Sequence, residues 1–132
     1  MSIPLICIAL LGFLVIALGF RVSMIRARTE TIYGGDDDPE SPLYKAQRAH
    51  GNTVEYAPIL AVVILALALA PQPTWVLWSI GLATFFRYVF VAGILLPATM
   101  AKPNPIRFVG AVGTYLAGFA LVAALIIQAV NA

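Results

Sequence analysis

Four long apolar stretches divide the chain. Residues 3–20 form an unbroken uncharged run that ends in Arg21, Arg26 and Arg28, close to the ~20 residues a transmembrane helix requires. Residues 57–70 are apolar but too few to cross alone, residues 74–96 are long enough but enclose Arg87, and residues 108–130 complete the set. Between them lie a polar loop over residues 30–41, the Pro71-Gln72-Pro73 turn and a proline-containing connector around residues 102–105. Ser41 followed by Pro42 reads as an N-cap and first helical position, which starts the second helix well before its apolar part. The pattern predicts a single all-α domain over residues 1–132. Its form is an integral membrane four-helix bundle, antiparallel up-down, with helices at about 3–28, 42–70, 74–98 and 106–131.

Composition narrows the class. Of the 132 residues 61% are apolar and 11% charged, with a mean hydropathy of +0.94, whereas soluble domains run near ~45–50% apolar and ~25% charged. A water-soluble globule and a disordered chain are both excluded. The net charge of +2 comes from eight scattered basic residues, too few for a nucleic-acid stripe. All of these except Arg87 lie in or beside the first and third loops, while the N-terminus and the Pro71-Gln72-Pro73 turn carry none. The positive-inside rule then places both termini outside and the two charged loops in the cytoplasm. The N-terminal stretch lacks a basic region ahead of it and reads as a retained span.

Several features carry no chemistry. Cys7 has no second thiol and sits in an apolar run, as a buried inert residue does. Asp36, Asp37 and Asp38 are adjacent rather than spaced as calcium ligands and read as a solvated loop, so no metal is expected. Gly113, Ala117, Ala120 and Ala124 form a small-residue stripe that lets helices approach closely in lipid.

The second helix is different. Counting ~20 residues back from Ala70 puts the membrane edge near Gly51, so Asn52 and Glu55 lie at or inside the hydrocarbon boundary. An ionisable group there costs at least ~2.5–3.5 kcal/mol unless partnered, and such residues usually mark function. At 100° per residue Arg48, Asn52, Glu55 and Tyr56 share about a third of the helix circumference. His50 points nearly opposite, toward a neighbouring subunit if it takes part at all. Pro58 removes a backbone donor and frees the Val54 carbonyl beside Glu55. Glu55 lies fifteen residues before Ala70 and Arg87 thirteen after Thr74, which at ~1.5 Å per residue sets both about 20–22 Å from one membrane face. Arg87 is therefore expected to neutralise Glu55, to bind one polar ligand together with it, or to form a plain buried ion pair. Arg26, Arg28, Arg48 and Arg107 reach the same level. Guanidinium groups around one carboxylate suit a small zwitterion with excess negative charge, because arginine matches carboxylates bidentately.

The segment Arg48-Ala49-His50-Gly51-Asn52-Thr53-Val54-Glu55-Tyr56-Ala57-Pro58 resembles the second-helix signature of the MAPEG family, the membrane-associated proteins of eicosanoid and glutathione metabolism. Tyr33-Gly34-Gly35-Asp36 is similar to the loop of bacterial members, and Pro105-Ile106-Arg107 to the start of the fourth helix of prostaglandin E synthase. The resemblance implies a homotrimer, in a bacterial inner membrane, that binds glutathione as co-substrate between neighbouring subunits near the cytoplasmic side. Arg48, Asn52, Glu55 and Tyr56 would hold glutathione, with Glu55 near its amino group. His50 would face the adjacent subunit's site, and Arg26 or Arg28 would meet a carboxylate. Arg107 would be the catalytic residue, stabilising the thiolate. Arg87 and Tyr88 join the candidate glutathione residues, although helix 3 departs from the eicosanoid enzymes: Arg87-Tyr88 is followed by Val89-Phe90-Val91-Ala92 where those carry a more polar pattern.

The implied activity is that of a membrane glutathione transferase or peroxidase. It would turn a thiolate on a lipophilic electrophile or hydroperoxide that arrives from the lipid. A non-catalytic lipid- or glutathione-binding member is the alternative. A small proton-coupled multidrug exporter is a more distant one, because such exporters use a carboxylate in helix 1 and here the intramembrane acid is Glu55.

Overall fold

The computed structural model describes residues 2–131; of the predicted 1–132 domain, Met1 and Ala132 lie outside the described residues. Its elements are four helices, α1 (Ile3–Arg28), α2 (Pro42–Leu67), α3 (Thr74–Leu95) and α4 (Pro105–Val130), with no strand among the described residues. Each is long and apolar enough to cross a membrane.

Local chemistry sets the ends. The Ser41 hydroxyl accepts from the N–H groups of Leu43 and Tyr44, capping α2 with Pro42 in its first turn. Asn104 does the same for α4, accepting from the Arg107 N–H at 3.0 Å ahead of Pro105. α2 stops at Leu67, three residues short of the end of its apolar run. Pro71 explains this: it has no N–H to give the Leu67 carbonyl and disfavours helical backbone at Ala70. The Gln72 side chain supplies the missing donor at 2.6 Å and also hydrogen-bonds Gln128 on α4. Pro97 ends α3 at Leu95 for the same reason, and Lys45 Nζ then donates to the Pro97 carbonyl at 3.1 Å. Pro58 leaves α2 helical on both sides. In the first loop Asp36 and Asp38 accept from the backbone two residues on. The Ser41 side chain and the Asp38 N–H hold the Asp36 carboxyl below its usual range.

α2 and α3 touch every other helix, whereas α1 and α4 make no contact with each other. They flank the α2–α3 pair on opposite sides. The closest seam is α3 on α4. A Cβ added at Gly93 would lie 2.6 Å from the Arg107 Cα, and one at Gly110 would lie 2.6 Å from the Phe90 Cα. Farther along, Gly113 meets the Phe86 ring, so positions fall along α3 as they rise along α4. The small-residue stripe is thus spent partly within the chain: Gly113, Ala117 and Ala124 are buried. Leu11, Ile64, Leu67, Ile80 and Leu121 fill the middle with no exposed surface. Outward, Phe13, Ile16, Trp78, Leu116 and Phe119 stand exposed, and only 22% to 39% of each span is buried. Such an apolar exterior belongs in lipid or against other copies of the chain.

Candidate functional site

The polar stripe of α2 has an inner and an outer edge. By helical rotation Arg48 and Glu55 form one edge, and Asn52 and then Tyr56 turn toward Ala49 and Thr53. Burial follows that order: Arg48 and Glu55 are exposed, Asn52 and Tyr56 half-buried, and Ala49 and Thr53 fully buried. Arg87 of α3 meets the inner edge. It is 1% exposed; its Nη2 donates to Asn52 Oδ1 at 2.7 Å, and its guanidinium carbon stands 5.0 Å from the ring centroids of both Tyr56 and Phe90. This corrects the expected Glu55–Arg87 ion pair. The two residues do share a region of the bundle, but Glu55 is on the outer edge, and the buried cation is held by an amide and two ring faces instead. Cation–π contacts contribute ~0.5–1 kcal/mol at exposed sites and ~2 kcal/mol or more when desolvated.

Arg48 and Asn52 open onto a cleft of about 890 Å³ at the end of the bundle that carries the two long connectors. α3 contributes Phe90 and Ile94, the third connector contributes Met100 and Lys102, and α4 contributes Arg107. Three of its side chains are cationic and none is acidic. Arg107 is placed by the Gly93 contact and by the Asn104 cap, and its guanidinium donates to the Met100 and Lys102 carbonyls at 3.4 and 3.3 Å. Those long bonds leave it half-buried at the cleft wall. Glu55 and Tyr56 line a smaller apolar groove of about 270 Å³ between α2 and α4. A narrow space lined by Asn52, Tyr56, Arg87 and Tyr115 lies between the two.

The other predicted residues lie on the α1 side. The His50 ring packs on Gly19 of α1, and the Tyr88 hydroxyl donates to the Leu10 carbonyl of α1 at 2.8 Å. Arg26 donates to the Ile32 and Gly34 carbonyls of the first loop, and Arg28 is exposed. Because α1 and α4 flank opposite sides of the bundle, one chain does not bring Arg26, Arg28, His50 and Tyr88 to the cleft of Arg48, Asn52 and Arg107. Tyr88→Phe is expected to cost ~0.5–1.5 kcal/mol, the loss of one interhelical hydrogen bond, read as a melting temperature lower by a few degrees in detergent.

Tyr115 of α4 is a site residue that the sequence reading missed. Its hydroxyl hydrogen-bonds that of Tyr56 at 2.8 Å, with the rings edge-on at 5.9 Å. The signal was available, since Tyr115 follows Thr114 in a mostly apolar helix, and a phenol within such a span seeks a partner for its hydroxyl. Phe90, read only as part of an apolar departure in helix 3, and Asn104, read as connector, also belong to the site.

Comparison with known proteins supplies the relationship. The MAPEG family model matches residues 4–127. The inner membrane protein YecN of Escherichia coli K12 is 33% identical over 85 residues, covering 64% of this chain and 59% of the relative; YecN of Escherichia coli O6:H1 matches to the same extent. The chain thus spans about three fifths of the length of these relatives. No solved structure matches.

Proposed function

The chain belongs to the MAPEG family, and from that premise we propose that it is a glutathione-dependent transferase or peroxidase of the inner membrane. The observation that carries this reading is the convergence of Arg48, Asn52 and Arg107, from two helices that flank α3, on one cleft of small-molecule size. A mouth with three cations and no acid is complementary to the two carboxylates of glutathione. Glu55, exposed one turn from Asn52 on the neighbouring groove, would receive its ammonium.

We further propose an up-down bundle with both termini outside and a homotrimeric assembly. The trimer accounts for the division found within one chain. Arg26 or Arg28 and His50, which lie on the α1 side, would complete a neighbour's cleft across the subunit boundary, with Tyr88 shoring up that side. In the reaction Arg107 holds the glutathione sulfur as thiolate. The sulfur forms its bond to the electrophilic carbon while the leaving group departs with the bonding pair. The lipophilic electrophile reaches the sulfur from the bilayer. With a hydroperoxide the sulfur instead bonds the terminal peroxide oxygen as the O–O bond breaks and the alkoxide leaves to be protonated. A second glutathione thiol then displaces water from the resulting sulfenic acid to give the disulfide.

One observation favours the non-catalytic reading: α3 offers only Phe90 and Ile94 to the cleft, side chains with no proton to give. Conjugation of a chromogenic electrophile by the purified protein separates the two. The binding reading itself is tested by calorimetry with glutathione in detergent. Wild type is expected to bind, and Arg48→Ala and Glu55→Gln each to weaken binding by roughly tenfold, the worth of one charge-assisted contact. Absence of heat with wild type would reject glutathione as ligand.

A further inference from the structure

Arg87 is a buried cation with no carboxylate beside it. Its partners are the Asn52 carbonyl oxygen and two aromatic faces, and its Nε has no hydrogen-bond partner. It lines the narrow space beneath the cleft rather than the cleft itself. Asn52 lines both. An asparagine amide has an accepting end and a donating end, and which way it faces is decided by what its neighbours require. Arg87 has only donors, so the Asn52 oxygen must turn down to it. The Asn52 amino group, which makes no hydrogen bond to any described residue, is thereby left for the cleft.

We propose that Arg87 is a positioning residue that locks the Asn52 amide with its N–H₂ end toward the cleft, so that the site presents donors alone and selects ligands by their acceptor oxygens. Arg48, Lys102, Arg107 and the Asn52 amino group then form one donor set drawn from α2, the third connector and α4. The ligand class is a small molecule with two or more carboxylate or carbonyl oxygens at one end. A ligand meeting this wall with an ammonium is rejected, since it has only donors to offer and a donor covered without an acceptor is costly. The proposal rests on the glutathione reading for its probe, but the lock itself does not.

The informative substitution is Asn52→Asp. It keeps the shape, strengthens the bond to Arg87, and replaces the amino group with a second oxygen. The expected result is a melting temperature equal to or above wild type together with glutathione binding weaker by roughly tenfold to a hundredfold. Arg87→Lys, which keeps a donor for Oδ1, should retain most of the binding that Arg87→Leu loses. A stability double-mutant cycle on Arg87→Leu and Asn52→Leu needs no ligand, and non-additivity is expected because the two residues act as a unit. Asn52→Asp protein that binds glutathione as wild type does would overturn the orientation, and an additive cycle would overturn the lock. If wild type binds no glutathione, the functional reading fails while the cycle still decides the lock.

Discussion

Gly110→Ala will prevent α3 from closing on α4. The added methyl would stand 2.6 Å from the Phe90 Cα, inside the distance that any pair of carbons tolerates, and what it meets is backbone, which has no rotamer to move into. Overpacking a core with a methyl group typically costs ~1–3 kcal/mol. Here the cost should reach or exceed the top of that range, because relief requires separating two helices along their closest seam. The same holds for Gly93→Ala against the Arg107 Cα. Lipid offers no hydrophobic drive to hold helices together, so close packing has to do it. The check is the yield of monodisperse protein in mild detergent, and its melting temperature, for Gly110→Ala and Gly93→Ala. Gly12 and Gly81 are the controls: neither has anything within 4 Å of an added Cβ, and alanine there should be neutral or stabilising by ~0.5–1 kcal/mol, as for any glycine in a helix interior. Wild-type melting of Gly110→Ala would show that the seam is not as close as described.

The seam also explains what could and could not be read in advance. The four spans were legible because lipid demands uninterrupted apolar length, and Ser41-Pro42 announced its cap through chemistry local to three residues. That Arg87 would stand level with the polar stripe of α2 was legible as well, since helical rise is fixed. Its partner was not: choosing between Asn52 and Glu55 turns on ~60° of rotation about α2, less than one residue step, and nothing in a single stripe says which edge faces inward. The division of the arginines was equally hidden. Arg26 and Arg107 were expected at one level of the bundle, but their lateral separation depends on α1 and α4 lying apart, which is a property of packing rather than of pattern. Tyr115 lay between these cases, a phenol whose need for a partner was visible and whose partner was fifty-nine positions away.

Arg107→Ala is expected to lower conjugation of an electrophile at pH 7 by roughly a hundredfold while leaving protein yield intact, on the proposed reaction. A free thiol titrates near ~8.5, so without help only a few per cent is thiolate at pH 7. A guanidinium beside the sulfur favours the charged form and brings its pKa down. The sign is then fixed. Removing the cation returns the thiol pKa upward, so the rate falls most at neutral pH and recovers as the pH rises toward 9, moving the whole rate profile to the alkaline side. Arg107→Lys, a cation of different reach, should keep part of the neutral-pH rate. Arg107 can be removed more safely than Gly93 because its side chain is half-buried and makes only two long bonds, to the Met100 and Lys102 carbonyls. The Asn104 cap acts through its backbone N–H and survives in alanine. The profile distinguishes this role from simple carboxylate binding, which would raise the KM for glutathione without displacing the pH dependence of kcat. An Arg107→Ala enzyme with a reduced rate and an unmoved profile would assign Arg107 to the glutathione carboxylates and leave the thiolate to another cation of the same wall, Arg48 or Lys102.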